Sequence, residues 1–210
     1  MNLATALHVG RGITSVVGSG GKTTLLRTLA DVLPGTVALT TSTHIFPFEG
    51  MPLLDGSNLD DVRGAFAGSR IICVGSLSSG GKLATPHSNF EELGCCADYV
   101  LVEADGSRGL PLKAHEHWEP VVPACSAQTI LVVGARGLNQ PIHSAVHRPE
   151  RFCELSACHT DDLATPARVA RVINAETLAT RVLISQISPE NRPAAQELVN
   201  LLNAPALLWE

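Results

Sequence analysis

The order of apolar segments predicts an α/β fold in which a mostly parallel central sheet is covered by helices on both faces, in three layers. Short apolar runs rich in β-branched residues recur along the 210 residues, as expected for buried parallel strands. Segments with apolar residues at helical spacing alternate with these runs. This alternation is typical of a parallel sheet with helical crossovers.

In the first half of the chain, the first strand is predicted at residues 13–17, which are apolar, β-branched and end in a glycine-rich turn. The first helix is predicted at residues 23–33, where leucines recur at helical spacing until Pro34-Gly35 stops it. The same reasoning predicts strands at 36–40, 70–74 and 99–102 and helices at 58–66 and 88–97. Ser88 is the expected cap of the last of these helices.

In the second half, continuous apolar runs predict strands at residues 129–133 and 181–184, and residues 206–209 predict a final short strand. Helical spacing predicts helices at 150–155, 166–174 and 193–202. The sequence shows no internal repeat, low-complexity tract or linker. We therefore expect a single domain spanning residues 1–210.

Composition narrows the classes of partner. The formal net charge is −5 and no run of lysine or arginine occurs, so we expect no nucleic-acid partner. No apolar run approaches the roughly 20 residues that span a bilayer, so we expect no membrane partner. The first 12 residues lack the charged-then-apolar pattern of a signal peptide. A cytoplasmic protein is expected.

The six cysteines are too sparse for a disulfide framework in a chain of this length, which favours reduced thiols. Cys95 and Cys96 are adjacent, and Cys153, Cys158 and His159 have loose spacing, so neither set matches a usual zinc pattern. We expect these cysteines to be buried thiols.

A candidate phosphate loop, Gly18-Ser19-Gly20-Gly21-Lys22-Thr23-Thr24, joins the first strand to the first helix. Glycines let backbone N–H groups curl around phosphate oxygens, and the start of the helix adds a partial positive charge. Lys22 is placed to reach the β- and γ-phosphates, and the Thr23 hydroxyl to bind Mg²⁺. These features predict a P-loop fold similar to that of the NTPases. The alternative is a glycine turn that only caps the helix.

The loop is shorter than the commonest phosphate loop. In G-x-x-x-x-G-K-[ST] the first glycine would fall at Val16, whereas the turn here opens at Gly18. Short loops of the form G-[ST]-x-G-K-[ST]-T occur in the Mur ligases of cell-wall synthesis, which this loop resembles. Mur ligases carry a further C-terminal domain, and we expect none in a chain ending at Glu210.

Two carboxylates follow the predicted strand at 99–102. Glu103 continues this strand, and Asp105 lies two residues on, in an Asp-Gly turn. In P-loop folds a carboxylate at the end of a neighbouring strand holds Mg²⁺, directly or through water. Either residue is a candidate for the metal, with the other orienting a water molecule. The alternative is an ordinary strand end followed by a turn.

Further candidates follow two of the predicted strands. Hydroxyl groups at the carboxyl end of a parallel strand face the ligand crevice, so Thr41 and Thr43 are candidates for the γ-phosphate or Mg²⁺ and His44 for the substrate. The alternative is a Ser/Thr turn with an exposed histidine. Arg108 and Lys113 follow the Asp-Gly turn closely and are expected near the same crevice.

Three other segments carry polar residues. The glycine-rich segment 78–82 is expected to be a mobile loop that brings Lys82 to the site. His115 and His117 are expected in a solvated loop rather than at a metal. Where guanine-specific P-loop proteins carry Asn/Thr-Lys-x-Asp, this chain has Ser185-Gln186-Ile187-Ser188, with no aspartate to pair with guanine. The base stays open between ATP and GTP, with ATP favoured.

The chain resembles the YqeC-like family of selenium-dependent hydroxylase accessory proteins. The resemblance lies in Val17–Thr24, Thr40–Phe46 (TTSTHIF), Val100–Lys113 (VLVEADGSRGLPLK), His115–Pro120 and Val146–Glu150 (VHRPE). It places seven residues within shared motifs: Lys22, Thr23, His44, Glu103, Asp105, Arg108 and Lys113. It also shows two departures, Ser42 in place of a family threonine, and Ser185 and Ser188 where the family tends towards Asn-Gln-x-Asp.

The resemblance implies a nucleotide-binding helper of a selenium-containing molybdenum hydroxylase. The first hypothesis is therefore an accessory NTPase that binds ATP or GTP with Mg²⁺ and cleaves the β–γ bond. Its candidate catalytic residues are Lys22, Glu103, Asp105 and His44, with Thr23 and Glu103 at the metal. The alternatives are an ATP-dependent ligase or kinase acting on a small acid, and a non-catalytic nucleotide-gated chaperone or switch.

Overall fold

The computed structural model of this protein describes residues 2–78 and 80–210. The helices are α1 (Leu3–Ala6), α2 (Lys22–Val32), α3 (Leu59–Ala65), α4 (Phe90–Gly94), α5 (Ile142–Ala145), α6 (Pro149–Ser156), α7 (Pro166–Glu176) and α8 (Arg192–Leu201). The strands are β1 (Gly12–Gly18), β2 (Val37–Thr41), β3 (Leu53–Leu54), β4 (Ile71–Val74), β5 (Ser76–Leu77), β6 (Leu83–Ala84), β7 (Tyr99–Glu103), β8 (Leu112–Lys113), β9 (Gln128–Gly134), β10 (Val146–His147), β11 (Arg181–Ser185) and β12 (Ala206–Leu208).

The central sheet joins eight of the described strands in the order β12-β11-β9-β1-β7-β2-β4-β3. Pairing is parallel from β12 to β9 and again from β1 to β3. Helices separate successive strands of this sheet along most of the chain. The predicted three-layer α/β class with a mostly parallel central sheet is confirmed.

Two compact units make up the described chain. Unit 1 contains Met1–Val16, Thr23–Gly106 and Val121–Gln128. Unit 2 contains Val17–Lys22, Ser107–Pro120 and Thr129–Glu210. The single domain expected from the sequence stays a prediction.

The core of unit 1 is apolar and contains residues from its strands and two of its helices. These buried residues are Ile13, Ala38, Val62, Ile72, Val74, Leu93, Val100 and Val102. Parallel strands that are covered on both faces have nearly continuous apolar sequences, which explains the apolar residues that precede Glu103 in β7. Val62 of α3 and Leu93 of α4 are fully buried, so both helices direct an apolar side chain into this core.

The core of unit 2 is built from two strands and the helices α6, α7 and α8. Its buried side chains include Ile130, Val132, Phe152, Val169, Ile173, Leu183 and Leu198. Helix α7 contacts both α6 and α8. Pro166 starts α7 without the loss of a helical hydrogen bond, and the Thr165 side chain caps it by accepting the Arg168 N–H.

Helix α4 begins later than the sequence predicts, and Ser88 is not its cap. Asn89 Oδ1 accepts the Glu92 N–H at 2.8 Å, and the Glu92 carboxylate accepts the Asn89 N–H at 3.2 Å. These two bonds form a capping box. The expected Ser88 cap was therefore wrong, because the amide oxygen one residue later satisfies the free N–H of the helix.

Several short strands have no sequence signal, since two residues cannot show a period. Among them, β5 and β6 pair antiparallel around the segment predicted as a mobile loop. Ser79 of that segment lies outside the described residues. The Lys82 ammonium lies 5.5 Å from the centre of the Phe46 ring, which is itself 76% exposed. Lys82 therefore lies beside an exposed aromatic ring in unit 1.

The cysteines are free thiols. Of the four that were expected to be buried, Cys95 is exposed, and Cys96, Cys153 and Cys158 are half-buried. The expectation was wrong because these residues lie on a helix or in the turn that follows one, outside the buried centres of the strands. None of the helices in the described part of the chain is long and apolar enough to span a membrane.

The capping box gives a direct stability test. Replacing Asn89 with Ala should lower the free energy of unfolding by about 1 kcal/mol, because the Glu92 N–H loses its side-chain acceptor. Ser88→Ala is the matched control, since the buried Ser88 hydroxyl has no hydrogen-bond partner among the described residues. It should leave stability unchanged or slightly higher. Urea denaturation measures both, and a larger loss for Ser88→Ala would contradict the assignment.

Candidate functional site

The glycine loop of unit 2 has a backbone that only glycine adopts readily. Gly18, Gly20 and Gly21 have φ values of +92°, +89° and +134°. A Cβ on Gly20 would lie 2.5 Å from Gly134 Cα and 2.9 Å from the Pro111 carbonyl oxygen. Gly20 is therefore required both by its conformation and by the close approach of two other backbone segments.

Hydrogen bonds anchor the loop to the rest of unit 2. The Ser19 N–H donates to the Val132 carbonyl at 2.9 Å, and the buried Ser19 hydroxyl donates to the Leu110 carbonyl. The Ser185 hydroxyl, at the end of β11, donates to the Gly20 carbonyl at 2.6 Å. These bonds within the protein hold the loop in its conformation.

Lys22 turns back over the loop that precedes it. Its side chain is buried, and Nζ donates to the Gly18 carbonyl at 2.7 Å. Nζ also lies 3.4 Å from the Ser107 hydroxyl, which follows the Asp105-Gly106 turn in the chain. A buried ammonium held by the loop supplies the positive charge that a phosphate requires.

A hydroxyl–carboxylate pair lies in unit 1, where Thr23 and Glu103 meet. Thr23 Oγ1 donates to Glu103 Oε2 at 3.3 Å. Thr24, the last loop residue, is exposed beside it in the chain. Glu103 is buried at the carboxyl end of β7, and its carbonyl accepts from Thr41 Oγ1 at 2.8 Å and from the Ser42 N–H at 3.2 Å. The backbone of Glu103 is therefore fixed while its carboxylate is directed at Thr23.

The Thr23–Glu103 pair fits Mg²⁺ by the chemistry of its donors. Hydroxyl and carboxylate oxygens are hard ligands, and Mg²⁺ is usually held by one or two carboxylates together with substrate phosphates and water. Within residues 2–78 and 80–210, no group of three or more His, Cys, Asp or Glu side chains is placed to hold a metal ion. The Thr23–Glu103 donor set suits a cation that arrives with a phosphate.

The other candidates of unit 1 differ in exposure. Asp105 is buried just beyond β7, whereas His44 is exposed. Thr41 is buried, and its Oγ1 accepts the Thr43 N–H at 3.0 Å while donating to the Glu103 carbonyl. This geometry is that of the Ser/Thr turn considered as the alternative. The Thr41 hydroxyl thus donates its proton to a backbone carbonyl.

Lys113 of unit 2 lies in an ion-pair cluster. Its side chain is 1% exposed, and Nζ donates to Glu119 Oε2 at 2.8 Å. The other oxygen of Glu119 accepts from Arg148 Nε at 3.2 Å. Burial alone would raise the pKa of Glu119, but the hydrogen bonds and charges of Lys113 and Arg148 hold that pKa below its ordinary value. Glu119 therefore remains ionised and joins two cations, while Arg108 is exposed.

His147 lies beside Lys113, because β10 and β8 pair with His147 in register with Lys113. The His147 side chain is buried. Burial, with the positive charges of Lys113, Arg148 and Arg108, lowers the pKa of His147 to about 4. Its imidazole is therefore neutral at pH 7.

The expected solvated loop was wrong for His115. The Ala114 N–H donates to the His147 carbonyl, which ties the residue before His115 to β10. The His115 ring is buried, and its Nδ1 lies 2.8 Å from Glu176 Oε2. The backbone N–H of His115 donates to Glu176 Oε1 at 2.6 Å. His117 remains exposed. The partner of His115 is 61 residues away in the chain, so the local sequence gave no sign of its burial.

The segment considered for base recognition has structural roles in unit 2. Ser185 is bonded to the loop, as described above. The Ser188 N–H donates to Asn191 Oδ1 at 2.8 Å, and Asn191 Nδ2 donates to the Gln186 carbonyl at 3.0 Å. These bonds close the turn that leads into α8.

Sequence reasoning missed four residues of these groups as functional candidates: Ser107, Glu119, His147 and Arg148. The last three lie in two segments, His115–Pro120 and Val146–Glu150, that carry the resemblance to the family. Neither segment has a spacing that suggests an ion pair by itself. The pairing of β8 with β10 brings the neighbourhoods of the two segments together, and Arg148 then bonds Glu119 directly.

Comparison with known proteins identifies the family. A family model described as YqeC protein matches residues 14–150. The chain belongs to the YqeC family. Within that range lie the loop, Glu103, and the Lys113, Glu119 and Arg148 cluster.

The chain is also similar to a protein of Escherichia coli (strain K12), described as uncharacterized protein YqeC. The two are 35% identical over 161 residues. The match covers 71% of this chain and 62% of that relative, so the chain spans less than two thirds of the length of the curated relative it matches.

The close approach at Gly20 gives a second stability test, on the loop of this YqeC-family chain. Gly20→Ala should lower the free energy of unfolding by about 2–4 kcal/mol, because the new Cβ would meet backbone atoms of Gly134 and Pro111. Gly64→Ala, in the last turn of α3 and with nothing within 4 Å of the new Cβ, should raise it by about 0.5 kcal/mol. Denaturant titration measures both, and equal effects would contradict the described loop.

Proposed function

We propose that this YqeC-family chain binds a nucleoside triphosphate together with Mg²⁺ and hydrolyses its β–γ bond. The observation that carries the proposal is the loop with its left-handed Gly18, Gly20 and Gly21, which are followed by the buried Lys22. The next residue is Thr23, the hydroxyl partner of Glu103. A structural turn needs neither a buried lysine nor a carboxylate paired with the following hydroxyl.

The loop residues would bind the phosphates. Left-handed glycines turn backbone N–H groups towards one side, and the start of α2 adds its partial positive charge. Lys22 Nζ is held at the loop by the Gly18 carbonyl, so little side-chain entropy remains to be lost on binding. An anion would offer Nζ a stronger, charge-assisted partner than a carbonyl oxygen.

The Thr23 hydroxyl and the Glu103 carboxylate would hold Mg²⁺. The metal, when bound, neutralises charge on the β- and γ-phosphate oxygens. Glu103 is fixed at its carbonyl by Thr41 and Ser42, which keeps the carboxylate oriented. Asp105, a buried carboxylate just beyond the end of β7, would position the attacking water. ATP is preferred over GTP in this proposal, because no aspartate stands at Ser188 to pair with guanine.

The wider role we propose is that of a maturation factor for a selenium-dependent molybdenum hydroxylase. This role is supported by the resemblance of its motifs to that family. A second candidate, nucleotide-dependent transfer to a small acid, is favoured by the short spacing of the glycine loop from Gly18 to Lys22, which resembles that of the Mur ligases. An acceptor screen that scores ADP production separates transfer from hydrolysis.

Removal of the loop lysine tests the proposed hydrolysis. Lys22→Ala should reduce phosphate release from Mg-ATP by about 100-fold or more, because the developing charge on the γ-phosphate loses its closest cation. The measurement is phosphate release by purified protein with Mg-ATP and with Mg-GTP. Arg63→Ala is the control, since it removes one positive charge from the exposed surface of α3. No phosphate release by the parent protein above the Lys22→Ala background would overturn the proposal.

Neutralising the carboxylate tests the role of the metal. Glu103→Gln should raise the Mg²⁺ concentration needed for half-maximal phosphate release by about tenfold or more, since an amide oxygen is a weaker ligand than a carboxylate. The variant should still bind nucleotide in the absence of metal. Glu91→Gln, an exposed change on α4, is the matched control. A Mg²⁺ dependence identical to that of the parent would rule out Glu103 as the metal ligand.

A further inference from the structure

The end of α6 brings two cysteines together. Cys153 lies in the last turn of the helix and Cys158 in the turn that follows it, and their sulfur atoms are 3.7 Å apart. We propose that Cys153 and Cys158 form a reversible intramolecular disulfide, which makes the end of α6 a site of thiol oxidation. This inference goes beyond the proposed nucleotide function and does not depend on it.

The backbone at the end of α6 holds the two cysteines in this position. Ala157, the residue after the helix, is in the left-handed conformation with a φ of +53°. Both its N–H and the Cys158 N–H donate to the Cys153 carbonyl, the latter at 3.2 Å. A left-handed residue closed by such bonds brings the side chains on either side of the turn into contact. The approach of the two sulfurs is therefore set by the fold of the turn.

The distance between the sulfurs and their access to solvent favour a bond. A disulfide bond is about 2 Å long, so the two atoms have to approach by less than about 2 Å. The Cys158 thiol already donates to Cys153 Sγ, and Ser156 Oγ lies 3.0 Å from Cys158 Sγ. Both cysteines are half-buried, and Ala157 between them is exposed. A small reagent can therefore reach the pair from solvent.

The oxidant is a small-molecule disulfide. Burial, together with the neighbouring Cys158, raises the pKa of the Cys153 thiol to about 11, so Cys153 is rarely ionised at pH 7. Cys158 therefore attacks first: its thiol loses a proton to solvent, its sulfur bonds one sulfur of the oxidant, and the other leaves as a thiolate. The Cys153 thiol then loses its proton, and its sulfur displaces the remaining part of the oxidant from Cys158. The protein loses two electrons and two protons, and the oxidant becomes two thiols.

The disulfide ties the end of α6 to the turn that follows it. The same turn is joined to α7, since Arg171 Nη1 donates to the Ser156 carbonyl at 3.5 Å. A cross-link restricts the unfolded chain, whereas in the folded protein the two sulfurs already meet, so the bond stabilises the native state. By linkage, the native state favours the disulfide over two thiols by the same factor.

Oxidation at equilibrium tests the pair. The purified protein is incubated with mixtures of reduced and oxidised glutathione, with and without urea, then alkylated and digested with trypsin. Cleavage after Arg151 and Arg168 yields one peptide, 152–168, in which Cys153 and Cys158 are the only cysteines. The intramolecular disulfide lowers the mass of this peptide by two hydrogens and blocks its alkylation. We expect the effective concentration of the two thiols to be about tenfold or more higher in the folded protein than in urea.

Variants of the turn assign this effect to the fold. Ala157→Gly retains a residue that adopts the left-handed conformation readily and should change the effective concentration by less than about twofold. Ala157→Val places a β-branched side chain at a φ of +53° and should lower it by about fivefold or more. Cys153→Ser should retain glutathione on Cys158, because the second thiol is missing. Cys95, which is exposed, reports mixed-disulfide formation in every sample.

The melting temperature gives an independent measurement. The oxidised parent should melt several degrees above the same protein after reduction, whereas Cys158→Ser should melt at one temperature under both conditions. An effective concentration no higher in the folded protein than in urea would overturn the proposal, because the contact would then be packing alone. It would equally be overturned by full alkylation of peptide 152–168 wherever Cys95 carries glutathione, by an unchanged effective concentration in Ala157→Val, or by equal melting of the oxidised and reduced parent.

Discussion

The end of β7 sets the geometry of unit 1. Glu103 is in register with Val16 of β1 on one side and with Thr41 of β2 on the other. The next residue continues the ladder, since the Ala104 N–H donates to the Val16 carbonyl at 3.0 Å. Because three parallel strands end together, a carboxylate that would be costly to bury reaches the start of α2 with its backbone fully bonded. A shift of one residue in this register would turn Glu103 to the opposite face of the sheet.

The same kind of constraint acts on the glycine loop of unit 2. β11 pairs with β9 so that Ser185 is in register with Gly134. Gly134 approaches Gly20 too closely for any side chain, and the Ser185 hydroxyl bonds the Gly20 carbonyl. The loop is therefore shaped from outside itself, by the ends of two strands more than 100 residues later in the chain. The packing against Gly134 therefore requires a glycine at position 20.

The long elements could be predicted from the sequence because their signals are local and repeated. Apolar runs located β1, β7, β9 and β11 to within about a residue, and helical spacing located α2 as closely and α7 to within about two residues. Short elements failed because two residues show no period. The wrong cap at Ser88 shows a different limit, since adjacent Ser88 and Asn89 both match a cap and only the backbone conformation selects between them.

Some residues of the candidate site could likewise be predicted from the sequence, and others could not. The loop and Glu103 could be inferred, because glycine, lysine and carboxylate stand in a recognisable order next to apolar strands. The burial of His115 could not be inferred, because its partner Glu176 comes 61 residues later. The link between Glu119 and Arg148 spans 29 residues and depends on two strands of two residues each. Pairings of this kind follow from tertiary structure and leave no periodic trace.

The two buried lysines of unit 2 are held in different ways. Lys22 Nζ donates to the Gly18 carbonyl oxygen and to the Ser107 hydroxyl, so its ammonium is held against the backbone of the loop that precedes it. Lys113 Nζ instead donates to the Glu119 carboxylate, whose other oxygen accepts from Arg148 Nε, 29 residues later in the chain. The position of the first lysine therefore depends on the conformation of one short loop, whereas the position of the second depends on an ion pair between segments that only the tertiary structure brings together.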